Sequence, residues 1–270
     1  MMKANSISEA RITAQTTYID RVLNEPYYDS EKDLKARENY YGQVDFAKGN
    51  LAEQIHSMLV STHSRQLTYS PHEYVYPWMD LQENGKLKSL YSGASLDPLK
   101  TIEEDLQLLQ MIREEGVTAN EKIIFNTEHV VPQSWFDEKE PMRGDLHHLF
   151  ACEPACNSMR SNYPYHDFES YVPEFQADKI RSGCGMAEDR KFEPEYGKGI
   201  AARAVFYFAV RYKEVIRMET RMDLDLLLRW HQEHPVDLYE KHRNAAIQEL
   251  QGNRNPFIDH PERAGEMLRI

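Results

Sequence analysis

The sequence has no long apolar run. No stretch approaches the roughly 20 apolar residues that a bilayer-spanning helix needs, so a membrane span is excluded. Cysteine is scarce: Cys152, Cys156 and Cys184 are too few for a disulfide-dense small fold. Their odd number leaves at least one thiol unpaired in a monomer, or calls for a metal. Basic residues are in deficit, 32 Lys and Arg against 44 Asp and Glu, for a formal net charge of −12. That balance argues against a broad basic face for nucleic acid but leaves room for a local one, because steering depends on where charge lies. Met1 to Asp20 carries Lys3 but no run of about 7 to 15 apolar residues, so no secretory signal is expected and the sequence alone points to the cytoplasm.

What is present is a foldable chain. A hydrophobic share of 41% over 270 residues is too high for disorder and long enough for a substantial core. No repeat, low-complexity tract or linker divides it, so one domain is expected. Residues 1–25 read as a polar arm or short helices on a body spanning 26–270. Leu51, Ile55, Met58 and Leu59 form one apolar helical stripe, with Asn50 as its N-cap. Thr101 and Glu104 form a capping box for a second helix, with Gly116 at its end. Lys122 to Val131 is short, β-branched and aromatic, and reads as a strand, as does Asp145 to Ala151. A helix is expected to start within Cys156 to Asn162. Ile200 to Ile216 is apolar almost all round and predicts a central buried helix. Two amphipathic helices follow, Gly252 closing the second, and the tail Asn253 to Glu262 reads as an ordered loop. The expected fold is α+β: a ββα-metal finger, about residues 122–165, embedded in a mostly helical single domain.

The chemistry starts at Glu128-His129, where a hard oxygen ligand and a potential base adjoin at the end of a predicted strand. In a regular strand the two would face opposite ways, so both can serve one site only where the strand ends, and Val130-Val131-Pro132 supplies such an ending. An isolated Glu-His pair is more often a surface charge beside a hydrogen-bonded histidine. Here His147 and His148 follow on the second strand and Asn157 on the helix, which is the order of a ββα metal finger. Phosphodiester hydrolysis wants a hard cation held by one or two protein oxygens, and Glu128 with the Asn157 carbonyl oxygen suits Mg²⁺. His129, as neutral imidazole, can take a proton from water.

Five ordered segments carry a resemblance. Glu128 to Phe136, Asp145 to Leu149, Asn157 to Pro164, Gly197 to Tyr212 and Gln251 to Glu262 resemble the bacterial endonuclease I family, nonspecific metal-dependent nucleases of the His-Me finger (HNH-like) superfamily. Asn50 to Gly93 is similar to that family's first helix and its Tyr-Ser-Gly turn, so the likeness runs from about Tyr27 to Glu262. It implies His129 as general base, Glu128 and Asn157 as ligands of Mg²⁺ (or Mn²⁺ or Ca²⁺), and hydrolysis of DNA and RNA to 5′-phosphate products through contacts to the sugar-phosphate backbone. His147 and His148 would support the site, Arg160 and Asn162 would organise the helix start, and Arg160 is also a candidate to touch a phosphate. The better-known periplasmic members have a longer loop after the Glu-His strand, with an arginine that stabilises the leaving phosphate. Here Asp137 to Gly144 is short and Arg143 is its one arginine, hence the candidate for that role. Those members also have several disulfides, whereas here Cys152, Cys156 and Cys184 leave three readings open: a structural Zn²⁺ site with a histidine such as His166, a disulfide between two of them, or free thiols. Arg203, Arg211 and Arg254 are candidates for further backbone contacts.

The family is commonly periplasmic or secreted, in tension with the missing signal. A cytosolic enzyme of this kind would call for an inhibitor partner. The competing reading is a catalytically silent nucleic-acid-binding or structural metal-finger protein, which would not need the full Glu128, His129 and Asn157 set. A zinc hydrolase of another substrate would need an HExxH helix that the sequence lacks.

Overall fold

The core is organised by helix α7, Lys198–Arg211, in the computed structural model, which describes residues 4–47, 49–115, 125–172 and 183–269. From Gly199 to Val210 every residue of α7 is buried, as its all-round apolar pattern predicts. Around it lie α3 (Leu51–Thr62), α8 (Leu224–Glu233) and the short α10 (Pro256–Asp259). The remaining helices are α1 (Ala4–Leu23), α2 (Ser30–Tyr41), α4 (Pro71–Tyr74), α5 (Pro98–Glu115), α6 (Pro154–Arg160), α9 (Leu238–Gln251) and α11 (Ala264–Met267). Strands occur as antiparallel pairs: β1 (Leu87–Lys88) with β2 (Ser95–Leu96), β3 (Thr127–His129) with β4 (Leu149–Ala151), and β5 (Gly185–Glu188) with β6 (Lys191–Pro194). The whole is a mostly helical α+β single domain.

Several local expectations change. The segment read as a polar arm is one 20-residue helix laid on the body, where Arg11 pairs with Glu103 and Arg21 lies 3.5 Å over the Trp78 ring. The Thr101 capping box is displaced: Asp97 accepts from the Leu99 and Lys100 amides, and Pro98 takes the first helical position, where its missing N–H costs nothing. Thr101 donates instead to the Asp97 carbonyl. Gly116 lies outside the described residues, as do 122–124 of the first expected strand. Asn50 precedes α3 but its side chain caps no backbone amide; it accepts from Gln54. Gly252 does close α9, at a φ of 99° that favours glycine. The tail is helical, because Asn255 caps α10 through the Phe257 amide.

Three buried arginines tie the elements together. Arg243 binds Asp80 and the Leu146 and Leu149 carbonyls. Arg203 makes a paired bridge to Glu240 at 2.6 and 2.7 Å, and Arg254 does the same to Asp259 at 2.7 and 2.8 Å. Arg203 and Arg254 therefore offer nothing to nucleic acid, contrary to the expectation from sequence: their guanidinium groups are fully engaged in the interior, where an unpaired charge would be costly. Arg211, half-buried, lies 4.6 Å over the ring of Tyr212.

Candidate active site

Strand β3 pairs with β4 in the register Glu128↔Phe150 and His129↔Leu149, and α6 follows three residues beyond β4. Leu146 to His148 form a 3₁₀ turn, so His147 and His148 precede the second strand and do not sit on it. Asp145 causes this, because its carboxylate accepts from the His147 amide and starts the turn. Helix α6 starts earlier than expected, at Pro154, which puts Asn157 in its middle.

Glu128, His129 and Asn157 line one cleft of about 290 Å³. Larger clefts of about 720 and 860 Å³ open elsewhere, so chemistry and not size picks out this one. The Glu128 carboxyl is buried, and its Oε1 accepts from the Tyr91 hydroxyl at 2.7 Å. Because Tyr91 spends its proton there, the hydroxyl of Tyr165, 2.7 Å away, donates to Tyr91. Burial pushes the Glu128 carboxyl up to about 7, against the opposing pull of Arg160 and the Tyr91 hydrogen bond. Its Oε2 has no partner among the described residues. Asn157 donates its amide nitrogen to the Thr127 carbonyl at 2.8 Å, which fixes the amide flip and leaves Oδ1 as an acceptor. Two hard oxygens on residues of one cleft thus have no protein donor among the described residues, a donor set that fits a cation such as Mg²⁺.

His129 Nε2 lies 3.0 Å from the Arg143 carbonyl. A carbonyl only accepts, so Nε2 carries the proton and Nδ1 the lone pair. Burial, and then the neighbouring His148 and Arg143, holds the imidazole well below its ordinary range, hence neutral. His148 donates from Nε2 to the Met142 carbonyl at 2.6 Å and meets the His129 ring edge-on at 5.3 Å. Below it packs Phe208 of α7, ring centres 4.9 Å apart, which seats the finger on the core. His147 packs on Tyr207 at 4.1 Å, away from the cleft.

Arg160 lines the cleft yet is fully buried, its guanidinium engaged by protein partners. Its Nη2 donates to the Val130 carbonyl at 2.7 Å, its Nη1 to Ser161 at 3.1 Å, and its Nε lies 3.4 Å from Glu128 Oε1. It pins the end of β3 to the end of α6. Ser161, at φ 53° and ψ −130°, holds a backbone conformation that side chains disfavour, on the rim of the cleft. Asn162 is exposed on the same rim. Arg143 is half-buried; its Nε donates to Gln133 at 2.9 Å, and its terminal nitrogens have no partner among the described residues.

The cysteines resolve into one of the open readings. Cys156 and Cys184 form a disulfide, and Cys152 is a buried free thiol. The zinc site is thereby set aside, because oxidised sulfurs are not available as thiolate ligands. The bridge joins α6, at the residue before Asn157, to the residue that precedes β5. Tyr91 and Tyr165 escaped sequence reasoning as site residues, although Tyr91 opens the Tyr-Ser-Gly turn already singled out.

Fold and site together define a class: an α+β protein whose ββα unit gathers a carboxylate, an amide oxygen and a neutral imidazole, a set suited to hydrolysing phosphate esters. The chain belongs to the endonuclease I family, whose sequence model matches residues 44–262. It is 29% identical over 247 residues to an extracellular ribonuclease of Bacillus amyloliquefaciens, covering 85% of this chain and 78% of that one. It is 34% identical to an extracellular ribonuclease of Bacillus subtilis and 33% to an extracellular deoxyribonuclease of Aeromonas hydrophila. Those two matches cover 53% and 46% of this chain, and 54% and 52% of the relatives, so the chain spans about half the length of both.

Proposed function

We propose that this protein is a divalent-cation-dependent nuclease that hydrolyses phosphodiester bonds of DNA and RNA with little sequence preference. The observation that carries the reading is the convergence, in one cleft, of Glu128, Asn157 Oδ1 and a His129 whose tautomer leaves Nδ1 as base. A purely structural finger has no need of that convergence.

His129 Nδ1 takes a proton from water as the water oxygen bonds to phosphorus. The Arg143 carbonyl, already bonded to Nε2–H, stabilises the imidazolium that results. The bond to the 3′ oxygen breaks, that oxygen takes a proton from solvent water, and the phosphate stays on the 5′ side. Bound between Glu128 and Asn157, Mg²⁺ or a similar cation would supply charge stabilisation at the phosphate and the leaving oxygen. The terminal nitrogens of Arg143 would meet phosphate charge, with its Nε donating to Gln133 of the cleft wall. Since water is the nucleophile, no 2′-hydroxyl is required, and both sugars are accepted. The relatives named as a ribonuclease and as a deoxyribonuclease support that breadth.

The test is cleavage of plasmid and of RNA with and without EDTA, with cation binding followed by calorimetry. Glu128→Ala and Asn157→Ala should each weaken Mg²⁺ binding about tenfold or more, since each removes one of few protein oxygens from an ion that demands ordered ligands. Unchanged binding in both variants would put the cation elsewhere. Salt dependence is a second check. With Arg160 on the cleft wall and Arg143 bonded to Gln133 of that wall, about two neutralised phosphates would mean only a tenfold or so loss of duplex affinity between 50 and 200 mM salt. A loss near 10³ would reveal an extended basic track.

A further inference from the structure

Tyr69 lies outside the finger, just before α4, yet it touches both groups on which the proposed chemistry depends. Its ring centre is 4.9 Å from that of His129, the planes inclined at 35°, and the Arg143 guanidinium carbon lies 5.1 Å from the same ring centre. The triangle is closed by the hydrogen bond from His129 Nε2 to the Arg143 carbonyl. Phe125 meets Tyr69 edge-on at 6.3 Å and limits its movement. The approach of the two chain segments is set by Gly144, which lies against the Leu67 backbone so closely that a Cβ there would collide with the Leu67 carbonyl.

We infer that Tyr69 is a positioning residue for the reaction, a shared aromatic platform that fixes the rotation of the His129 imidazole and holds the Arg143 side chain beside Gln133 of the cleft wall. An imidazole bonded through Nε2 alone can still swing about that bond. A ring against its face and His148 against its edge leave one orientation, with Nδ1 directed by default rather than by chance. Arg143 gains a cation–π contact that, with the Gln133 bond, orients its guanidinium without spending its terminal nitrogens.

The inference rests on His129 being the base, which the His129→Ala variant tests by itself. Tyr69→Leu keeps apolar bulk but removes the ring. Its kcat should fall about 10- to 100-fold with KM within about twofold, the signature of misplaced groups rather than lost binding. Tyr69→Phe should restore turnover to within about threefold, because it keeps the face. In the unsubstituted protein the His129 ring protons, assigned by their loss in His129→Ala, should be shifted upfield by the Tyr69 ring, and Tyr69→Leu should abolish that shift. The NMR reading requires no activity. A His129 signal with no upfield shift in the unsubstituted protein would overturn the inference, as would a Leu variant that turns over like Phe. A dead His129→Ala alongside either result would leave the nuclease reading standing.

Discussion

His129→Ala is expected to lower turnover by about 10² to 10⁴, the usual worth of a positioned base. The loss should fall on the chemical step. Cation binding should persist, because its oxygens come from Glu128 and from Asn157, whose amide is held by the Thr127 carbonyl and not by the histidine. The fold should persist as well, since the Arg143 carbonyl and the neighbouring His148 have other means of support: His148 is anchored to Met142 and packed on Phe208. Single-turnover rates, calorimetry with Mg²⁺ and a thermal scan separate the three. Added imidazole can enter the space left beside the cleft and restore part of the rate. Turnover close to that of the unsubstituted protein would dismiss His129 as base and with it the proposed mechanism.

Acid should unfold the protein well above the pH at which carboxylates alone would. Asp145 lies at the centre of a buried polar cluster, accepting from Tyr207 and Tyr212 at 2.8 Å and from Gln251 at 2.9 Å, with His63 3.8 Å away. Burial drives His147 down to about 3 and His148 to about 4, and lowers His63 as well. In the unfolded chain each would titrate near 6.5. Below that pH the unfolded state binds protons that the folded state refuses, so stability is full above about 6.5 and is lost as pH falls towards 4. Each histidine contributes at most about 1.4 kcal/mol per pH unit, so His147 and His148 together account for a large share of an ordinary domain's stability within two units. Asp145 acts in the same direction at lower pH. Burial opposes its charge, yet the flanking histidines and Gln251 hold it below its ordinary range, and protonating it removes that support. Urea midpoints measured from pH 7 to 4.5 should therefore fall steeply, and His147→Phe should make the slope shallower by about one proton. A flat profile over that range would show that these histidines are not held neutral by the fold.

Much of the site was legible. Glu128, His129 and Asn157 differ from ordinary polar residues only in their order and spacing, and that order was enough to bring them to one cleft in expectation. The buried helix at α7 was equally plain, because an unbroken apolar surface has no solvent-facing alternative. The burial of Arg160 was hidden for a physical reason. A lone arginine beside polar residues looks the same in sequence whether it faces water or not, and its burial depends on Tyr165, Val130 and Glu128 closing around it. Arg203 and Arg254 were misread likewise, since Glu240 and Asp33 lie far from them in the chain.

The sequence by itself determined the class of this protein: a helical body with a ββα insert that carries a carboxylate, an imidazole and an amide in close order along the chain, in a member of the endonuclease I family. Local chemistry suffices for that, because strand ends, helix periodicity and short motifs are properties of neighbouring residues. The tertiary structure decided the rest. It paired Cys156 with Cys184, assigned the His129 tautomer through a carbonyl 14 residues away, and set Tyr91 against Glu128 from 37 residues upstream. Each of these is a contact between distant segments, made possible by packing on α7, and no periodicity or spacing along the chain encodes which atoms such packing will bring together.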